Sequence, residues 1–265
     1  MSEQRGEDTT GGTPPRPVVD LGFDGYEEYQ EIGRGGFSVV YKAKQVAFDR
    51  TVAIKVISGS ADEQTLMRFE RECRTMGSMS DHPSIVTVFG NGRTEKGDLY
   101  IVMEFLSQGA LSDRLAASGP LPWEEVVDVG IRIAEALQAA HDGGVLHRDV
   151  KPENIFLSKH GEAKLGDFGI ARLEGSAATR SGVITASVAH AAPEILDGRK
   201  PNEGSDVYSL GATLYTLLAG SPAFSSETDE SIVPMLARIA ASPVPDLRPR
   251  GVPGPVCDVL EASMS

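Results

Sequence analysis

The stretch EIGRGGFSVVYKA, Glu31 to Ala43, decides how the front of this chain folds. Gly33, Gly35 and Gly36 crowd a single turn, as in loops whose backbone amides close on phosphate. The residues after the turn do not read as a helix: beyond Phe37 and Ser38 come Val39, Val40 and Tyr41, β-branched and aromatic residues that favour a pleated, half-buried strand. The glycines are therefore expected in a hairpin between two strands. The dinucleotide fingerprint and the Walker loop both run from a strand into a helix whose N-terminal amides hold the phosphates, so neither fits. No G-x-x-x-x-G-K-[ST] occurs. A glycine cluster alone is equally an ordinary flexible turn, and its meaning depends on what the rest of the chain supplies.

The chain has 265 residues, 40% of them hydrophobic, enough for one large core or two joined lobes. A formal charge of −13 argues against nucleic acid as a partner, because phosphate backbones are held by clustered Lys and Arg. Any anion must be held locally. Cys73 and Cys257 stand far apart, without metal-site or disulfide spacing, so reduced thiols and a cytoplasmic location are expected. No apolar run reaches the roughly 18 residues of a membrane span, and no membrane contact by this segment is expected.

Residues 1–20 are polar and rich in Pro and Gly, the composition of a disordered tail. From Tyr26 to about Phe105 the pattern is mostly strand (YEEYQEIG, SVVYKAKQV, TVAIKVIS, IVTVFGNG, LYIVMEF), broken by one helical segment, DEQTLMRFERECRTMGSM. Beyond Gly109 the periodicity turns helical. PWEEVVDVGIRIAEALQAAHDGG carries Val126, Val127, Ile131, Ala134 and Leu137 at helix spacing and stops at Gly143 and Gly144. Strand-like pieces recur at VLHR, NIFLS and AKLGD. The fold class is thus α+β and bilobal: a small β-rich lobe over about 26–105 with one main helix, a larger helical lobe from about 110 to 265, and a cleft at the join near Glu104 to Gly109.

Within this frame stand VAIK (Val52 to Lys55), LHRDVKPENIF from Leu146, GDFGIAR from Gly166, APE (Ala192 to Glu194) and SDVYSLG (Ser205 to Gly211). In order and spacing, from Tyr26 to the last residue, the chain resembles the eukaryotic-type (Hanks-type) protein kinases, and its wording is similar to the bacterial serine/threonine branch.

The resemblance implies ATP and Mg²⁺ as cofactors and phosphoryl transfer to Ser/Thr hydroxyls of proteins. Such transfer asks the protein for positioning and charge stabilisation. Lys55 would hold the α- and β-phosphates, oriented by Glu72; Asp167 and Asn154 would carry Mg²⁺; Asp149 would accept the substrate proton; and Lys151, a mark of the Ser/Thr branch, would neutralise the γ-phosphate. The nucleotide site would comprise Ile32, Gly33, Gly35, Gly36, Val40 and Ala53 above, Phe156 below, Met103 as gatekeeper, and backbone groups of Glu104 and Leu106 at the purine edge. Val40 and Ala53 are, one by one, equally plain core residues.

The same resemblance makes residues 167–194 an activation segment. Arg148 would anchor a phosphate on Thr179 or Ser181, with Thr185 a third choice and Arg172 a helper, and a dimer would serve trans-autophosphorylation. Three departures stand out. Ser38 occupies the third glycine's place in G-x-G-x-x-G-x-V. Ala186 and Ser187 stand where the family has Gly-Thr. The chain stops at VCDVLEASMS before the arginine that pairs with Glu194, so a truncated C-terminus and a partnerless Glu194 are expected. The rival reading is a pseudokinase acting as a nucleotide-binding interaction module; a small-molecule kinase is disfavoured by APE and SDVYSLG.

Overall fold

A computed structural model describes residues 23–35, 38–58, 63–168, 188–226 and 231–265. The expected tail, Gly36, Phe37 and the stretch holding Arg172, Thr179, Ser181, Thr185, Ala186 and Ser187 lie outside the described residues.

The glycine stretch does join two strands, β1 (Tyr26–Arg34) and β2 (Ser38–Gln45). With β3 (Arg50–Ile57), β4 (Val88–Arg93) and β5 (Leu99–Glu104) they form an antiparallel sheet in the order β1-β2-β3-β5-β4. Alternation along β3 sorts the side chains, since successive residues point to opposite faces. Val52, Ile54 and Val56 join Phe23, Tyr29, Ala43 and Val102 in a small core on one face. Ala53, Lys55 and Ile57 take the other. Their antiparallel partners on β5 are Met103, Ile101 and Leu99, and the partners of Ala53 and Lys55 on β2 are Lys42 and Val40. Helix α1 (Glu63–Ser78) packs beside β4.

The second lobe holds α2 (Leu111–Ser118), α3 (Trp123–Asp142), a two-stranded ribbon of β6 (Ile155–Leu157) and β7 (Ala163–Leu165), then α4 (Pro193–Leu196), α5 (Glu203–Ala219), α6 (Val233–Ala241) and α7 (Gly254–Ser263). α5 is buried almost all round, as a central helix should be. Asn202 caps it: its side chain accepts from Ser205 N while Ser205 Oγ accepts from Asn202 N, each at 3.2 Å. α7 lies so close to α5 that a Cβ on Gly211 would collide with Ser263 Oγ and lie 3.0 Å from Met264 Cγ.

Two expectations need correction, and the apolar residues read on α3 sort onto two faces. The stripe of α3 that faces the core is Val126, Val129, Ile133, Ala136, Leu137 and Ala140, whereas Ile131 is 54% exposed. Val127, Ile131 and Ala134 line a groove of about 580 Å³ with Val207 of α5 and Val259 of α7, and Val126 and Leu137 reach it as well. The IVTVFGNG run splits: Ile85 bridges Leu165 of β7, and β4 begins only at Val88. VLHR is not a strand: Val145 N donates to Ala140 O, and the amides of His147 and Arg148 are taken by a carboxylate rather than by a neighbouring strand.

Candidate active site

The loop after α3 is shaped by Asp206, which α5 presents at 1% exposure. Asp206 Oδ2 accepts from His147 N at 2.8 Å and lies 2.8 Å from His141 Nε2, while Oδ1 accepts from Arg148 N at 2.7 Å. Hydrogen bonds to a buried carboxylate are the strong kind, and here they hold Arg148 at φ +70°, a left-handed conformation that costs a non-glycine residue energy. His147 is fully buried. Its Nδ1 accepts from Asp149 N at 3.3 Å, so Nε2, 2.8 Å from Gly166 O, carries the proton and donates. Burial pushes the imidazole below its ordinary value of 6.5, which keeps the ring neutral. The neutral ring also meets Phe168 edge-on, centroids 4.6 Å apart.

Asp149, Lys151 and Asn154 converge just beyond. Lys151 Nζ lies 2.8 Å from Asp149 Oδ2, and Asn154 Nδ2 donates to Asp149 O at 2.7 Å and to Oδ2 at 3.0 Å. These bonds commit the amide nitrogen of Asn154 and leave its Oδ1 as the acceptor face. Asn154 O in turn accepts from Gly166 N at 2.9 Å, which ties this loop to Asp167. Asp167, at φ +61°, reaches across the cleft to β3: its Oδ2 is 3.0 Å from Lys55 Nζ, in a pair whose lysine side chain is only 9% exposed. Glu72 sits on α1 with Oε2 buried, one helical turn before Met76. Met76, Met103, Asp167 and Phe168 share the wall of a cavity of about 20 Å³.

Above the cleft, Ala53 and Val40 lie on the face of Lys55; Gly33 pairs with Val40, and Gly35 N donates to Ser38 O at 2.7 Å, closing the hairpin. Ser38 is buried there. Ile32 falls at an irregularity of β1 and is 45% exposed. Below, Phe156 of β6 pairs with Lys164 of β7 and bridges Ala110, on the far side of the linker through Glu104 and Leu106.

The protein kinase domain family matches residues 26–246. The chain belongs to the protein kinase family. Among relatives, this kinase domain is 46% identical over 251 residues to serine/threonine-protein kinase PknK of Mycobacterium bovis, covering 95% of the chain and 22% of PknK. It is 38% identical over 205 residues to serine/threonine-protein kinase PknL of Mycobacterium tuberculosis, covering 76% of the chain and 51% of PknL. To serine/threonine-protein kinase PknB of Mycobacterium leprae it is 34% identical over 229 residues, 84% of the chain and 36% of PknB. The chain thus spans about a fifth of the length of PknK.

Two features of this kinase domain depart from what the sequence leads one to expect. Asp206 was legible only as part of SDVYSLG, although a lone acid inside a run of small and apolar residues marks a buried carboxylate with designated donors. The expected gap at Glu194 is filled locally: Ser205 Oγ donates to Glu194 Oε1. Burial, with Glu194 nearby, pushes the Tyr208 hydroxyl up to about 12.

Proposed function

We propose that this kinase domain transfers the γ-phosphate of Mg²⁺-bound ATP to Ser and Thr hydroxyls of protein substrates. The observation that carries the reading is the pairing of two lysines with two carboxylates, Lys55 with Asp167 and Lys151 with Asp149, joined through Asn154. Asp149 is a hydrogen-bond acceptor held in place by a cation and an amide, suited to take the hydroxyl proton as the oxygen attacks the γ-phosphorus and the bond to ADP breaks. Lys151 is placed to follow the charge from that carboxylate to the transferring group. Lys55 stands ready to exchange its Asp167 contact for phosphate oxygens. One carboxylate, Asp167, and one amide oxygen, Asn154 Oδ1, form a hard, sparse donor set that suits Mg²⁺, which draws its other ligands from water and phosphate. The bound ion supplies charge neutralisation between the β- and γ-phosphates. Ala53, Val40, Met103 and Phe156 give the base an apolar slot, with backbone groups of Glu104 and Leu106 at its edge.

Regulation by phosphate on Thr179 or Ser181, installed between two copies, belongs to the same proposal. Its support is the exposed Arg148 beside Asp149, whose backbone Asp206 fixes. The pseudokinase alternative loses ground because Lys55, Asp149, Asn154 and Asp167 are all present.

The test is incubation with ATP, Mg²⁺ and dephosphorylated casein, followed by phosphoamino-acid analysis. Phosphoserine and phosphothreonine, lost in Lys55→Met, are expected. Nucleotide binding without transfer would hand the case to the pseudokinase; phosphotyrosine would overturn the acceptor class.

A further inference from the structure

Glu104 ends β5 where the two lobes join, and its side chain does more than leave the cleft. Oε1 lies 2.7 Å from Lys164 Nζ and accepts from Thr87 N at 2.7 Å, while Glu104 N donates to Thr87 O at 2.9 Å. The two charged side chains are 21% and 15% exposed, shielded enough for the pair to matter more than a surface contact. Thr87 in turn continues a segment stitched to β7: Val86 N donates to Leu165 O at 2.9 Å, and Leu165 N donates to Ser84 O at 2.8 Å. Glu104, Thr87 and Lys164 therefore fasten the last residue of the upper sheet directly to the lower ribbon.

The register gives this fastening a direction. Lys164 is the cross-strand partner of Phe156, and Phe156 also bridges Ala110 beyond the linker. The ion pair thus ties one wall, the backbone at Glu104, to the strand pair that carries the floor, Phe156. We infer that the Glu104–Lys164 pair is a positioning device that sets the spacing between the purine edge and the floor of the slot, and so sets affinity for adenine and discrimination against guanine. The inference rests on the reading of the cleft as the nucleotide site. An adenine ring is a rigid plate: a slot held to its thickness and edge pattern binds it without ordering cost, and a slot free to slide does not. Phosphate contacts at Lys55 lie elsewhere and do not depend on the pair.

The experiment measures calorimetric affinity for ATP and GTP, with KM and kcat where transfer is detected, in wild type, Lys164→Met, Lys164→Arg, Glu104→Gln and the Lys164→Met/Glu104→Gln double variant. Lys164→Met is expected to weaken ATP about tenfold, leave GTP within about twofold and move KM more than kcat. Lys164→Arg is expected to retain most of the affinity, and the double variant to lose little beyond the single ones, the mark of a coupled pair. Thermal unfolding of each variant shows whether it is folded, and the Lys164→Arg comparison keeps the test decisive where Met destabilises. Unchanged ATP affinity in folded Lys164→Met, equal losses for ATP and GTP, or additive losses in the double variant would overturn the inference while leaving the cleft reading intact. A wild type that binds ATP no better in its native form than as Lys55→Met, with no adenine preference, would remove the cleft reading and the inference together.

Discussion

A Cβ on Gly166 would lie 2.9 Å from Phe156 Cε2 and 3.0 Å from Val86 Cγ2, closer than a side chain tolerates. Gly166→Ala is therefore expected to destabilise the domain by about 1–3 kcal/mol, the usual cost of an extra methyl in a packed site, and to weaken ATP by displacing Phe156. Urea unfolding with nucleotide titration checks both. His147 adds a pH dependence. Its folded-state value lies below 6.5, so the unfolded chain binds the proton more readily. The stability this contributes is complete above pH 6.5 and is lost as pH falls towards the lowered folded-state value. Unfolding free energy should fall by up to about 1.4 kcal/mol per pH unit from this group below pH 6.5, and the wild-type-minus-His147→Asn difference, measured from pH 7.5 to 5.5, should isolate it. A flat difference would mean that the ring is not held neutral. Residues of this kind were half legible: LHRD and GDFG are contiguous motifs, but which nitrogen of His147 carries the proton depends on Gly166 O and Asp149 N meeting in space.

At the scale of elements, α5 is the support of the loop that leads to Asp149, because the same helix start that Asn202 caps presents Asp206 one turn later. Asn202→Ala should cost about 1 kcal/mol of stability and lower transfer at saturating ATP, since a frayed first turn loosens the anchor of His147 and Arg148. Chemical denaturation and steady-state kinetics check the pair of effects; a stability loss with unchanged kcat would confine the cap to folding. On α1, Glu72→Gln should slow transfer without changing the shape of the pH–rate profile, and a shifted acidic limb would make Glu72 a titrating participant. Strands were legible from alternation because β3 has one face in each of two environments. The core stripe of α3 was not, because both of its apolar arcs share the helical period, and only the position of α5 decides between them. VLHR failed for a related reason: residue type does not tell whether an amide will meet a strand or a carboxylate, and Arg148 takes a left-handed backbone that only Asp206 explains.

For the whole molecule, the order of motifs made two lobes and a cleft legible, since each motif is short and its chemistry is carried by residue type. The ties between lobes were hidden, because Glu104, Thr87 and Lys164 have no sequence spacing that links them and meet only through the register of β5 and β7. The proposed function rests on the same division: the upper sheet brings Lys55, the lower loop brings Asp149, Lys151 and Asn154, and Asp167 meets Lys55 next to Gly166, whose N donates to Asn154 O. Among the described residues no helix is long and apolar enough to cross a membrane. The central claim is that this cleft binds ATP with one set of residues and transfers phosphate with another. Single-turnover phosphorylation of casein by Asp149→Asn, set beside its calorimetric ATP affinity, separates the two most directly. Affinity within a few-fold of wild type is expected, with a transfer rate lower by about 10²–10⁴, the usual weight of a positioned proton acceptor; transfer as fast as wild type would contradict the claim.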